Sequence, residues 1–111
     1  MALLEKAAGQ GHAYAMSALG EFHNTWKEYE QSIRWYTMGA ETGLPMAMFN
    51  LGVSFEMGQG MAAPDYPGAA VWYRRAADAG DGAAALNLSK MYSVGRGWAW
   101  QRMHATSSYT L

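Results

Sequence analysis

The stretch SIRWYTMGAETG at 32–43 returns as AAVWYRRAADAG at 69–80, and no other feature of the chain constrains its fold as much. Trp35-Tyr36 falls on Trp72-Tyr73, Gly39-Ala40 on Ala76-Ala77, Glu41 on Asp78 and Gly43 on Gly80. The register holds on both sides. Upstream, EYEQS at 28–32 meets DYPGA at 65–69; downstream, Ala47, Asn50, Leu51 and Phe55 meet Ala84, Asn87, Leu88 and Tyr92. A third copy, lacking its first turn, lies at the front. There LEKAAGQG at 4–11 falls under Tyr36 to Gly43, with Ala15, Leu19, Gly20 and His23 following in step. The equivalent Gly11, Gly43 and Gly80 stand 32 and 37 residues apart. A period of that size is the mark of a stacked repeat architecture.

Each repeat reads as a helical hairpin. At about 100° per residue, Tyr66, Ala69, Ala70, Tyr73, Ala76 and Ala77 share one face, while Val71, Arg74, Arg75 and Asp78 lie opposite. The preceding unit places Tyr29, Ser32, Ile33, Tyr36, Gly39 and Ala40 on the same face. Small residues between aromatic ends let a second helix approach closely. Gly43 and Gly80 suit helix C-termini, where the left-handed conformation costs a glycine little, and Pro45 fits the first turn of the next helix. In the second half, Leu44, Ala47, Met48, Leu51, Ser54 and Phe55 phase together, and GQG at 58–60 and GRG at 95–97 end the copies of that helix. No stretch alternates strictly enough for a strand. The pattern predicts antiparallel pairs near 2–10 with 12–23, 27–42 with 44–57, and 65–79 with 82–93.

The order acid-Tyr, small residue, Trp-Tyr, Ala-Ala, Gly, Ala, Leu-Gly, aromatic, Gly-x-Gly resembles the Sel-1-like repeat, a relative of the tetratricopeptide repeat. DYPGAAVWYRRAADAGDGAAALNLSKMYSVGRG is the unit most similar to it, and the resemblance runs from residue 4 to about 97. It implies an all-α chain, a right-handed α/α solenoid of about three helix-turn-helix repeats. The units divide at 1–26 (partial), 27–63 and 64–97, with 98–111 as a tail or partial cap of one repeat domain. Some departures are local. The first unit lacks the Trp-Tyr pair, its connection to the second is short and without Gly-x-Gly, and Ser89 replaces the Gly of Leu-Gly in the third. WAWQRMHATSSYTL after Gly97 does not read as a fourth unit.

Composition narrows the function classes. The 111 residues carry a net charge of −1, split as −3 over 1–57 and +2 over the remainder, too weak a field to hold a nucleic-acid backbone. Without cysteine there are no disulfides, no thiolate chemistry and no cysteine zinc site. Neither a leader of signal-peptide form nor a long apolar run appears, so a soluble, cytoplasmic chain without membrane insertion is the expectation.

Candidate chemistry dissolves residue by residue. GQGMAA at 58–63 mimics part of a dinucleotide loop, but a helix precedes it and Pro64 breaks the segment directly after it. The phosphate motif instead needs a strand before it and an unbroken helix behind. His12, His23 and His104 form no i, i+4 pair, and His23 stands where Phe55 and Tyr92 do, which suits packing. Acidic residues are scattered, without a pairing that argues glycosidase chemistry. Ser17, Ser54 and Ser89 lack His and Asp partners nearby in sequence. The sequon NLS at 87–89 lies inside a helix. Met16 and Met48 share a core position, and Trp35 and Trp72 sit at its flank, where they bury area between units. Trp98 and Trp100 with Arg96 and Arg102 could stack bases, yet read better as a cap or tail. No catalytic, cofactor-binding or metal-ligating residue emerges.

What remains is a surface. Stacked hairpins present a long curved face rather than a closed pocket, and the resemblance implies a scaffold or adaptor that assembles protein complexes. The expectation is a non-enzymatic module binding a peptide or partner domain on its concave side. The alternative is a fragment of a larger repeat protein with hydrolase or ligand-binding activity. In helical-hairpin arrays the first helix of each unit lines the concave side. That makes Arg34, Thr37 and Glu41, then Val71, Arg74, Arg75 and Asp78, the contact row, with Arg34, Thr37, Arg74 and Arg75 the partner-binding candidates. Guanidinium groups grip carboxylates with two parallel bonds, so the expected ligand is a segment bearing acidic side chains.

Overall fold

The computed structural model describes residues 2–9 and 11–93. The GRG turn at 95–97, Trp98, Trp100, Arg96, Arg102 and His104 lie outside the described residues. Within them the regular elements are all helices: α1 (Ala2–Gly9), α2 (Ala13–Thr25), α3 (Tyr29–Glu41), α4 (Pro45–Met57), α5 (Tyr66–Asp78) and α6 (Gly82–Met91). The end of each lies within two residues of the span that the periodicity predicts.

Helix ends follow from particular residues. Gly11, Gly43 and Gly80 all adopt positive φ, at 86°, 98° and 103°. At the second of these the Gly43 N–H donates to the Ala40 carbonyl and the Leu44 N–H to that of Gly39. The turn thereby satisfies carbonyls that the end of α3 leaves open. Asp65 and Asp81 cap α5 and α6, accepting from the Gly68 and Ala84 N–H groups at 2.9 and 3.0 Å. Glu28, which takes Asp65's place ahead of α3, makes no side-chain cap. Its carboxylate turns to His23 Nδ1 at 2.7 Å instead.

Consecutive helices pack in order from α1 to α6, and α2 also touches α4, which makes the chain an α/α solenoid. The contacts of α2 with α3 and of α4 with α5 are more extensive than those within the hairpins. Their cause is a recurring seat. A Cβ added at Gly52 would stand 2.7 Å from two ring carbons of Tyr73, and one at Gly20 would be closer still to the ring of Tyr36. The tyrosines of α3 and α5 therefore lie directly against the glycine of the preceding Leu-Gly. Tyr36 and Tyr73 are 2% and 0% exposed. The Tyr73 hydroxyl donates to Glu56 Oε1 at 2.7 Å and accepts from Asn87 Nδ2 at 3.4 Å. At the equivalent place Asn24 stands against the Tyr36 hydroxyl.

Burial raises the pKa of Tyr73 well above that of a free tyrosine, the Glu56 carboxylate adds to the effect, and burial likewise raises Tyr36. Below the unfolded tyrosine pKa near 10 both states hold the proton, and the full stability is present. As pH climbs past 10 the unfolded chain ionises first, so stability is lost on the alkaline side. Urea melts at pH 9 and 11 should show this loss, and Tyr73→Phe should shrink it. An equal loss in that variant would remove Tyr73 as its source.

The core follows the seats. Tyr36, Ala40, Ala47, Met48, Leu51, Ala69, Ala70, Tyr73, Ala76, Ala84 and Met91 form one buried cluster, and Ala8, Ala15, Met16 and Leu19 a second. Gly39 lets α2, α3 and α4 converge: a Cβ there would meet that of Ala47 at 3.1 Å and that of Met16 at 3.5 Å. The predicted faces thus point inward, including the Met16 and Met48 positions. Trp35 and Trp72 are half-buried and pack against the second and first cluster respectively.

The short connection from α2 to α3 departs from the pattern. Lys27 takes a φ of 61°, a region costing an L-residue roughly 1–2 kcal/mol. The turn is held by the Lys27 N–H on the Asn24 carbonyl, the Glu28 N–H on that of His23, and the His23–Glu28 contact. Lys27→Gly should raise stability by about 0.5–1 kcal/mol, the strain relieved less the extra freedom glycine gives the unfolded chain. A lower denaturation midpoint in that variant would show that the lysine side chain itself holds the turn.

Candidate partner-binding face

The predicted contact row lies on α3 and α5, the first helices of the second and third hairpins. Arg34, Arg74 and Arg75 are exposed, as are Glu41, Val71 and Asp78; Thr37 is half-buried. The repeat register staggers the arginines. Arg34 stands where Val71 does, Thr37 where Arg74 does, and Met38 where Arg75 does.

Each candidate has a distinct local state. Arg34 pairs loosely with Glu30 one turn back, 4.0 Å apart, with side chains 66% and 90% exposed; such a pair contributes little and yields easily to a competing carboxylate. Thr37 donates its hydroxyl to the Ile33 carbonyl at 2.7 Å, so its proton is committed to the helix. Arg75 lies over the Trp72 ring, 4.7 Å from its centroid, which orders the guanidinium without neutralising it. Arg74 stands near Tyr92, whose pKa is raised by burial against the opposing pull of that charge.

Two features escaped the sequence reading. Met38, 39% exposed, adds apolar surface beside Arg34, as the 37% exposed Val71 does on α5. The stacking of Arg75 on Trp72 had a legible signal, since residues three apart on a helix are neighbours.

The remaining candidate residues fall into structural places. Gly58 is the left-handed C-cap of α4, so GQGMAA is the connection to α5. His23, with its side chain 20% exposed, meets Phe22 edge-on and Glu28 head-on; its packing role carries a polar one with it. Ser17 and Ser54 are buried within helices. Asn50 Nδ2 donates to Ser17 Oγ at 3.4 Å, tying α4 to α2. The described residues enclose no pocket and bring together no three metal-ligating side chains. No helix among them is long and apolar enough to cross a membrane.

A family model matches much of the chain. Residues 1–12, 27–44 and 45–81 match the Sel1 repeat. The chain belongs to the Sel1 repeat family. The longest matched segment spans α4, its connection and α5, the two helices joined by Tyr73 on Gly52. Two solved structures share the Sel1 repeat fold. One is a protective antigen present in uropathogenic Escherichia coli strains, described as displaying an SLR fold, 34% identical with a TM-score of 0.77. The other is a Sel1 repeat protein from Oxalobacter formigenes, 32% identical with a TM-score of 0.77. Each match covers 85% of this chain but only 21% and 40% of those proteins. No protein of curated function matches.

Proposed function

We propose that this chain is a non-enzymatic protein-interaction module, and that α3 and α5 hold an acidic peptide segment through Arg34, Thr37, Arg74 and Arg75. Sel1 repeats commonly serve protein interaction, and in helical-hairpin arrays the first helices are expected to line the concave side. The observation that carries the reading is the state of the arginines. Among the described residues, Arg34 has only a loose exposed carboxylate, 4.0 Å away, and Arg75 is ordered on an indole that does not neutralise its charge. Carboxylates on a bound segment would satisfy both with charge-assisted bonds. Thr37 enters as an acceptor, since its proton is committed. Met38 and Val71 supply apolar contact between the charges.

Selection from a random peptide display library tests this. Recovered peptides should be enriched in Asp and Glu. Their affinity for an Arg34→Ala/Arg74→Ala chain should fall at least about tenfold, equivalent to 1.4 kcal/mol, with a shallower salt dependence. The double variant should keep its stability within about 0.5 kcal/mol, because exposed charges contribute little. Peptides without acidic enrichment, or bound equally by the variant, would sink the assignment.

A further inference from the structure

The outward side of α6 corresponds to the surfaces of α2 and α4 on which α3 and α5 sit, but it lacks what seats them. Tyr36 rests on Gly20 and Tyr73 on Gly52; the equivalent position in α6 is Ser89, and it is exposed. At Gly52 even a bare Cβ would come within 2.7 Å of the ring, and a serine carries a hydroxyl beyond its Cβ. The polar half of the seat is changed as well. The Tyr73 hydroxyl donates to Glu56 Oε1, and Asn24 meets that of Tyr36. The equivalent residue is Ser93, two residues past the end of α6, shorter than either and donating its own hydroxyl to the Lys90 carbonyl at 3.1 Å. A tyrosine arriving on α6 would be held off its floor by Ser89, and its hydroxyl would find no carboxylate or amide where Glu56 and Asn24 provide one.

We infer that tyrosine–glycine stacking ends at α6, whose outer surface refuses another Tyr-bearing repeat, whether from the following chain or from a second copy. Two substitutions define the refusal. Ser89 removes the floor for the ring, and Ser93 removes the partner for the hydroxyl. Whatever occupies this face must do so by other contacts.

The test lengthens the protein by one unit. A copy of residues 61–97 is inserted between Gly97 and Trp98, once in the parent sequence and once with Ser89→Gly and Ser93→Glu ahead of the insertion. Repeats that share an interface unfold together, and the denaturant slope grows with the surface exposed in that step. In urea the substituted chain should unfold in one transition, with a steeper slope and higher midpoint than the chain without the insertion. The parent-sequence insertion should unfold separately, leaving the original slope and midpoint unchanged. The same two substitutions without the insertion should leave the slope unchanged, which separates the new interface from any local effect. A parent-sequence insertion that raises slope and midpoint as much as the substituted one would overturn the inference. So would a substituted chain whose added unit still unfolds on its own, because the two serines would then not be what closes the face.

Discussion

Tyr73→Ala should lower the unfolding free energy by about 3–5 kcal/mol, the range for truncating a large buried aromatic. Three losses combine. The ring is 0% exposed, so its transfer from water is forfeited in full. Its floor is the backbone of α4 at Gly52, and Phe49 lies 5.8 Å away, centroid to centroid; helical backbone does not collapse into a void, so a cavity remains. Glu56 also loses the hydroxyl that donates to it, and Asn87 the one that accepts from it. Leu51→Ala, at 1% exposure in the same cluster, should cost about 2–5 kcal/mol. Against a total of about 5–15 kcal/mol for a domain, either variant should melt at a visibly lower urea concentration. A parent-like midpoint for Tyr73→Ala would mean that the ring is not the joint between α4 and α5.

Gly52→Leu attacks the same joint from the other side and should cost about 3 kcal/mol, the upper end of the range for overpacking. The new Cβ alone would stand 2.7 Å from Cδ1 and Cε1 of Tyr73. The ring cannot retreat easily, because Ala69, Ala70 and Ala76 around it are themselves buried. Leucine's better helix propensity returns only part of the loss, under about 1 kcal/mol. Gly82→Ala is the control. A Cβ there meets nothing within 4 Å, so that variant should be neutral or slightly stabilising. If Gly52→Leu were equally harmless, glycine at this position would be serving something other than the seating of Tyr73.

Much of this was legible in the chain. Periodicity of 3.6 placed Tyr73, Ala69 and Ala76 on the buried face and Arg74, Arg75 and Asp78 on the exposed one, and the repeated glycines marked the ends of the first helices. The partner of each face was not legible. A helical period says which side of α5 is apolar, but not that Tyr73 meets Gly52, a residue 21 positions earlier in another unit. The Leu-Gly pair was visible as a motif, while its purpose as a floor for an aromatic ring depends on a through-space distance. The candidate face fared similarly. Arg34, Arg74 and Arg75 were read correctly as exposed, yet the hydroxyl of Thr37 is turned back onto Ile33 by a local bond that competes with any ligand for its proton. The strain at Lys27 was hidden because a short loop without glycine gives no sign of which residue must accept the left-handed turn. Asp65 and Glu28 look interchangeable in sequence; one extra methylene lets Glu28 reach His23 and leaves the start of α3 without a side-chain cap.

The tyrosine seat also bears on heredity. The ring and its receptor belong to neighbouring hairpins, so the smallest piece of chain that carries both lies between the turns at Gly43 and Gly80. Those 37 residues, 44–80, hold Gly52, Glu56 and Tyr73 together. A piece cut hairpin by hairpin, such as 27–63, carries Tyr36 without Gly20 and Gly52 without Tyr73. Duplication or loss with breakpoints in the glycine turns therefore transmits each aromatic ring with the floor and polar partner fitted to it. Asn24 with Tyr36 and Glu56 with Tyr73 are two such matched sets, each able to change its polar partner without disturbing the other.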